Sequence, residues 1–266
     1  MLGAVIGDIV GSRFEWKNSK GKDFDLFTPD CRITDDSVMT LAIARAILDS
    51  EGRIDALGKE AVRCMRDFGR RWARGCYGGS FARWLLADEP RPYGSWGNGA
   101  AMRVSACAWA ARSLEKALAM ARSVTEVTHD HPEGIKGAQA VTAAIWLARQ
   151  GAGKAEIREH IEAGYYRLDF TLDEIRPTYS FDVSCQGSVP QAIVAFLEAD
   201  SFEDAVRNAI SLGGDSDTIG AMAGSMAEAF YGIPEDMREK AFAYLPTELR
   251  DVALEFEESY SAPKLA

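Results

Sequence analysis

The chain has 266 residues, 47% apolar and 26% charged, which is enough to bury a sizeable core and too apolar for a chain that stays disordered. Thirty basic against forty acidic residues leave a net charge of −10, which argues against a dedicated nucleic-acid-backbone binder because phosphates would be repelled. Three histidines exclude a His-rich zinc or copper site. Five cysteines, odd in number and without a CxxC pair, fit the reduced thiols of a cytoplasmic protein. No stretch approaches the roughly 18 uninterrupted apolar residues of a membrane span.

In chain order, Ala4–Val10 reads as a short extended stretch, and so does Tyr179–Val183; neither alternates as a half-buried strand should. Helical spacing covers the rest. Ser37–Leu48 is apolar on nearly every side, as a helix buried all round would be. Leu57, Ala61, Cys64, Phe68 and Trp72 form one stripe, with Arg63, Arg66 and Arg70 on other faces. Further helices are predicted over Ala100–Ala111, Leu114–Val127, Gly134–Arg149, Ala155–Ala163, Pro190–Ala199, Phe202–Leu212, Thr218–Tyr231, Glu235–Ala243 and Glu248–Tyr260. Pro190 and Pro234 suit helix starts, and Ser201 with Asp204 suits a cap. Glycine clusters at 75–79, 90–99 and 213–214 fall between helices. The expectation is one compact all-α domain over residues 1–266, of about ten helices, with chemistry in its loops.

Two helix starts carry carboxylates. Thr34-Asp35-Asp36-Ser37 precedes Val38, and Gly213-Gly214-Asp215-Ser216-Asp217-Thr218 precedes Ile219. Either cluster alone reads as a helix cap. Together, in a histidine-poor helical chain, they offer two carboxylates and a threonine hydroxyl each, the oxygen donors that hard divalent cations prefer. Glu15 follows glycines 7 and 11, on a segment able to move, and belongs to neither cluster. The run Tyr93-Gly94-Ser95-Trp96-Gly97-Asn98-Gly99 leads into a helix; small residues there favour an anion, and Trp96 offers a ring to stack on a nucleotide or sugar. Thr128-His129-Asp130-His131-Pro132 sits at a helix junction. An HD-type phosphohydrolase would need a metal-binding histidine earlier in the chain, and none precedes His129.

GDIVGSRFE, TDDSVM, GNGAAMR, THDHPEG and GGDSDTIGAMAGSMAEAFYG occur in that order between residue 3 and about residue 233. In this combination the chain resembles the ADP-ribosylglycohydrolase family. The resemblance implies an all-α orthogonal helix bundle whose central cleft holds a binuclear Mg2+ or Mn2+ site and ADP-ribose. It assigns Thr34, Asp35, Asp36, Asp215, Asp217 and Thr218 to the metals. Ser95, Trp96, Gly97, Asn98 and Gly99 would line the diphosphate and ribose subsites, with His129 against the ligand. Glu15, or Asp36, would manage the proton in cleaving an anomeric bond. The expected activity is hydrolysis of the glycosidic bond between ADP-ribose and an arginine or serine side chain, or a small-molecule acceptor. A catalytically silent ADP-ribose-binding module and a metal-dependent nucleotide-diphosphate phosphohydrolase are the competing readings.

Overall fold

The computed structural model describes residues 1–260. They form α1 (Leu2–Gly11), α2 (Asp35–Asp49), α3 (Ile54–Arg71), α4 (Gly79–Leu86), a 3₁₀ turn (Asn98–Ala100), α5 (Ser105–Ala110), α6 (Leu114–Thr125) and α7 (Pro132–Arg149). Then follow α8 (Lys154–Gly164), α9 (Leu172–Ile175), α10 (Cys185–Leu197), α11 (Phe202–Ser211), α12 (Ser216–Tyr231), α13 (Glu235–Tyr244) and α14 (Thr247–Tyr260). No strand occurs among the described residues, and none of their helices is long and apolar enough to cross a membrane.

The segment read as extended at the N-terminus is the buried helix α1, every residue of which is shielded from solvent. An apolar run has no polar face from which to read its period, so its partner decides its form. Gly3, Gly7 and Gly11 lie one turn apart and meet α12 at Gly224, Gly220 and Asp217. A Cβ on Gly7 would stand 2.0 Å from the Gly220 carbonyl oxygen. Glycine inside a helix costs about 1 kcal/mol against alanine; here it permits backbone-to-backbone packing that no larger residue allows. These glycines therefore fix α1 against α12 rather than loosening the Glu15 segment, which corrects the expectation of a glycine hinge. Around this pair, α12 packs on α7, α10 and α11, and α2 on α3, α5 and α14.

Other boundaries differ for local reasons. Tyr179–Val183 forms no strand; its end makes one isolated bridge, Ser184 against Gly97. The helix expected from Ala100 begins as a 3₁₀ turn and becomes α-helical only at Ser105. Pro190 is not in a first turn: Ser184 caps α10 by accepting from Gly187 N–H, so the proline lies inside the helix. Ser201 does cap α11 through Asp204 N–H, and Pro234 does precede α13. Helices α4 and α9 are too short for their periodicity to stand out.

Candidate active site

The packing of α1 against α12 brings the starts of α2 and α12 together. Asp8, in the middle of α1 and fully buried, accepts from Thr34 N–H (2.9 Å), Thr34 Oγ1–H (2.6 Å), Ser37 N–H (3.0 Å) and the Ser37 hydroxyl. It thereby fastens the first turn of α2 to α1. The two clusters join directly where Thr218 Oγ1 donates to Asp36 Oδ2 at 3.1 Å. Capping explains only part of this arrangement. Thr34 caps α2 through Asp36 N–H, whereas the Asp215 side chain makes no cap bond to α12. Asp215 instead accepts from Asn98 Nδ2 at 2.7 Å, tying the glycine-rich loop to the carboxylates.

One carboxylate oxygen each from Asp8, Asp36 and Asp217 lie within 4.8 Å of one another, and so do oxygens of Glu15, Asp215 and Asp217. Burial pushes the Asp35, Asp36 and Asp217 carboxyls well above the ordinary carboxylate range, and their neighbouring carboxylates add to the effect. Burial, then Asp215, also raises Glu15. Asp36 Oδ1 is buried with no hydrogen-bond partner among the described residues. An oxygen-only donor set, an orphaned buried carboxylate oxygen and crowded negative charge suit hard divalent cations. The amino-terminal ends of α2 and α12 add positive dipole to the same spot.

These residues form one wall of a cleft of about 540 Å³, within the span of cavities that take small ligands. Glu15, Asp35, Asp36, Asp215, Asp217 and Thr218 line it, as do Ser95, Gly97, Asn98, Gly99 and His129. Asp35 lies outside the two tight oxygen groupings, and Thr34 lies behind the wall with its hydroxyl committed to Asp8. Trp96 does not face the cleft. Its half-exposed indole packs edge-on against His131, and its carbonyl accepts from Cys185 N–H. The loop is pinned by that bond and by Asn98 N–H donating to the Val183 carbonyl at 2.7 Å. His131 caps the start of α7 through Glu133 N–H, while His129 points its ring beneath Gly97 and Gly99.

Four contributors were not singled out from sequence as site residues. For Asp8 the available signal is a carboxylate within an apolar run. Asn18 reads two segments at once: its amide donates to the carbonyls of Glu15 (2.9 Å) and Gly214 (3.2 Å) and accepts from Gly214 N–H (2.8 Å). Trp16 and Phe181 stack at 5.3 Å on the cleft rim, from segments far apart in sequence.

An all-helical fold whose cleft sets a carboxylate wall against a glycine-rich loop defines the class of enzyme. A family model described as ADP-ribosylglycohydrolase matches residues 1–264, and the chain belongs to that family as an ADP-ribosyl-acceptor hydrolase. Human ADP-ribosylhydrolase ARH3 is 26% identical over 94% of this chain and 90% of its own length. ADP-ribosylarginine hydrolase Tri1 of Pseudomonas putida (strain GB-1) is 29% identical over 88% of this chain and 70% of its own. The ADP-ribosyl-(dinitrogen reductase) glycohydrolase of Rhodospirillum rubrum is 26% identical, covering 88% and 85%. A solved ADP-ribosylglycohydrolase-related protein complex shares the fold, with a TM-score of 0.68 over 97% of this chain and 95% of that one at 22% identity.

Proposed function

We propose that the protein cleaves the glycosidic bond between ADP-ribose and an arginine or serine side chain, or a small-molecule acceptor, and releases free ADP-ribose. The observation that carries this reading is the convergence of Glu15, Asp36, Asp215 and Asp217 on one cleft that Ser95, Gly97, Asn98, Gly99 and His129 also line. Asp35, Asp36, Asp215, Asp217 and Thr218, with Thr34 behind them, would hold two divalent cations, Mg2+ or Mn2+. When bound, these supply Lewis acidity toward ribose hydroxyls and the attacking water.

The chain's own groups do the rest. In the glycine loop Gly97 N–H donates to Ser95 Oγ and Asn98 N–H to the Val183 carbonyl, so the diphosphate would take the loop's remaining peptide N–H groups, and the Asn98 side chain keeps the loop in register with Asp215. Glu15 sits beside the carboxylates without belonging to either helix start, so it is free to hold a proton at the water or the leaving atom; Asp36, at the start of α2, is the alternative. Five free cysteines support a cytoplasmic setting. The test is incubation of arginine- and serine-linked ADP-ribosyl peptides with the protein and Mg2+ or Mn2+, the products weighed by mass spectrometry. Free ADP-ribose and an unmodified peptide are expected. AMP as product would replace this reading by phosphohydrolysis, and intact peptide with bound ADP-ribose would replace it by a silent binder.

A further inference from the structure

Arg103 is among the largest fully buried side chains of the protein, and it lines the cleft. Tyr93, Cys107, Cys185 and His129 are the titratable groups that interact with its charge, and no carboxylate pairs with it among the described residues. A buried guanidinium without a counter-ion is expensive, so its contacts carry information. Its Nη2 donates to Thr128 Oγ1 at 2.6 Å and more weakly to the Val124 carbonyl at 3.5 Å. Thr128 Oγ1 in turn lies 2.7 Å from His129 Nδ1.

The direction of that last bond follows from what each atom already holds. Thr128 Oγ1 accepts from Arg103, which leaves its own proton to give. The alternative acceptor, the Thr125 carbonyl, stands at 3.3 Å and already takes the N–H groups of Thr128 and His129. His129 Nδ1 is nearer and otherwise unfilled, and an N–H at that position would aim its positive end toward the guanidinium. Accepting a charge-assisted bond also makes the hydroxyl a better donor and a poorer acceptor. Nδ1 is therefore the acceptor, and the ring proton belongs on Nε2.

We propose that Arg103 and Thr128 are positioning residues that lock His129 as the neutral Nε2–H tautomer, presenting one uncharged hydrogen-bond donor to the cleft beneath Gly97 and Gly99. A Cβ on Gly99 would stand 3.3 Å from Nε2, so the glycines leave that donor uncovered. Burial, and then the Arg103 charge, hold the imidazole well below its usual range, which keeps the ring neutral. The acceptor suited to it is an anionic oxygen, and identifying that oxygen as a phosphate of ADP-ribose rests on the function proposed above.

The test reads the tautomer directly. Long-range proton–nitrogen NMR on 15N-histidine protein, with His129 assigned by its loss in His129→Asn, should show Nε2 protonated and Nδ1 bare. Thr128→Val should introduce the Nδ1–H form and weaken ADP-ribose binding about tenfold, the worth of one charge-assisted bond. Thr128→Ser should restore both. Wild-type His129 protonated on Nδ1, or an unchanged spectrum in Thr128→Val, would overturn the lock; if that variant does not fold, the wild-type spectrum still decides. The expected spectrum in a protein that fails to bind ADP-ribose would uphold the lock and refute only the identity of the ligand.

Discussion

Replacing Gly7 by alanine should force α1 and α12 apart and carry the carboxylate cluster with them. The new Cβ would lie 2.0 Å from the Gly220 carbonyl oxygen, 2.2 Å from its carbonyl carbon and 2.6 Å from Ala221 N. Unstrained heavy-atom contacts lie near about 3.5 Å, so the helices must separate by roughly 1.5 Å. Backbone stands on both sides, and no flexible side chain can yield. Overpacking a core costs about 1–3 kcal/mol, and the upper end applies here. Alanine's better helix propensity returns about 1 kcal/mol, leaving a net loss of about 2 kcal/mol. For a chain of this size that is a fall in Tm of about 4–8 °C. Calorimetric melts should be run beside Gly164→Ala, where a Cβ at the end of α8 meets nothing within 4 Å and Tm should hold or rise slightly. Because Gly11 abuts Asp217 and Asp8 fastens α2, titration of Gly7→Ala with Mn2+ should also show weaker binding. A Tm within about 1 °C of the parent, with Mn2+ affinity retained, would show that the glycine contact does not hold the site together.

Two more outcomes follow from the cluster. Asp36→Asn relieves charge crowding by replacing one carboxylate oxygen with an amide NH2, which can donate to the neighbouring carboxylates, so in chelator at pH 8 its Tm should exceed wild type by about 2–4 °C, corresponding to about 1 kcal/mol. Added Mn2+ should raise wild-type Tm and leave Asp36→Asn unmoved; equal shifts in both would remove Asp36 from the metal site. Glu15→Gln should lower kcat by roughly a hundredfold while ADP-ribose affinity stays within about twofold, as for loss of a proton-handling group. Wild-type turnover on both arginine- and serine-linked peptides would transfer that role to Asp36.

Local chemistry was legible in the amino-acid sequence. Caps at Thr34 and Ser201, the amphipathic stripe of α3 and the two acidic helix starts are set by neighbours within a few residues, so they can be read along the chain. The order of the motifs carried the family and, through it, the residues expected at the site. What required the tertiary structure was every feature whose partner lies far away. The helical state of α1 depends on Gly220 and Gly224, more than two hundred residues along. Asp8 acquires its role only when Thr34 and Ser37 arrive to fill its oxygens, and Trp96 turns from the cleft because His131 and α10 claim its side chain and carbonyl. Arg103, inside the helix expected from Ala100, and Thr128, at a helix junction, show no link along the chain until packing removes their water and joins them to each other and to His129. Short-range hydrogen bonding and periodicity repeat with the chain and so appear in its order; close approach of backbones and shared burial of polar groups exist only after the helices have met.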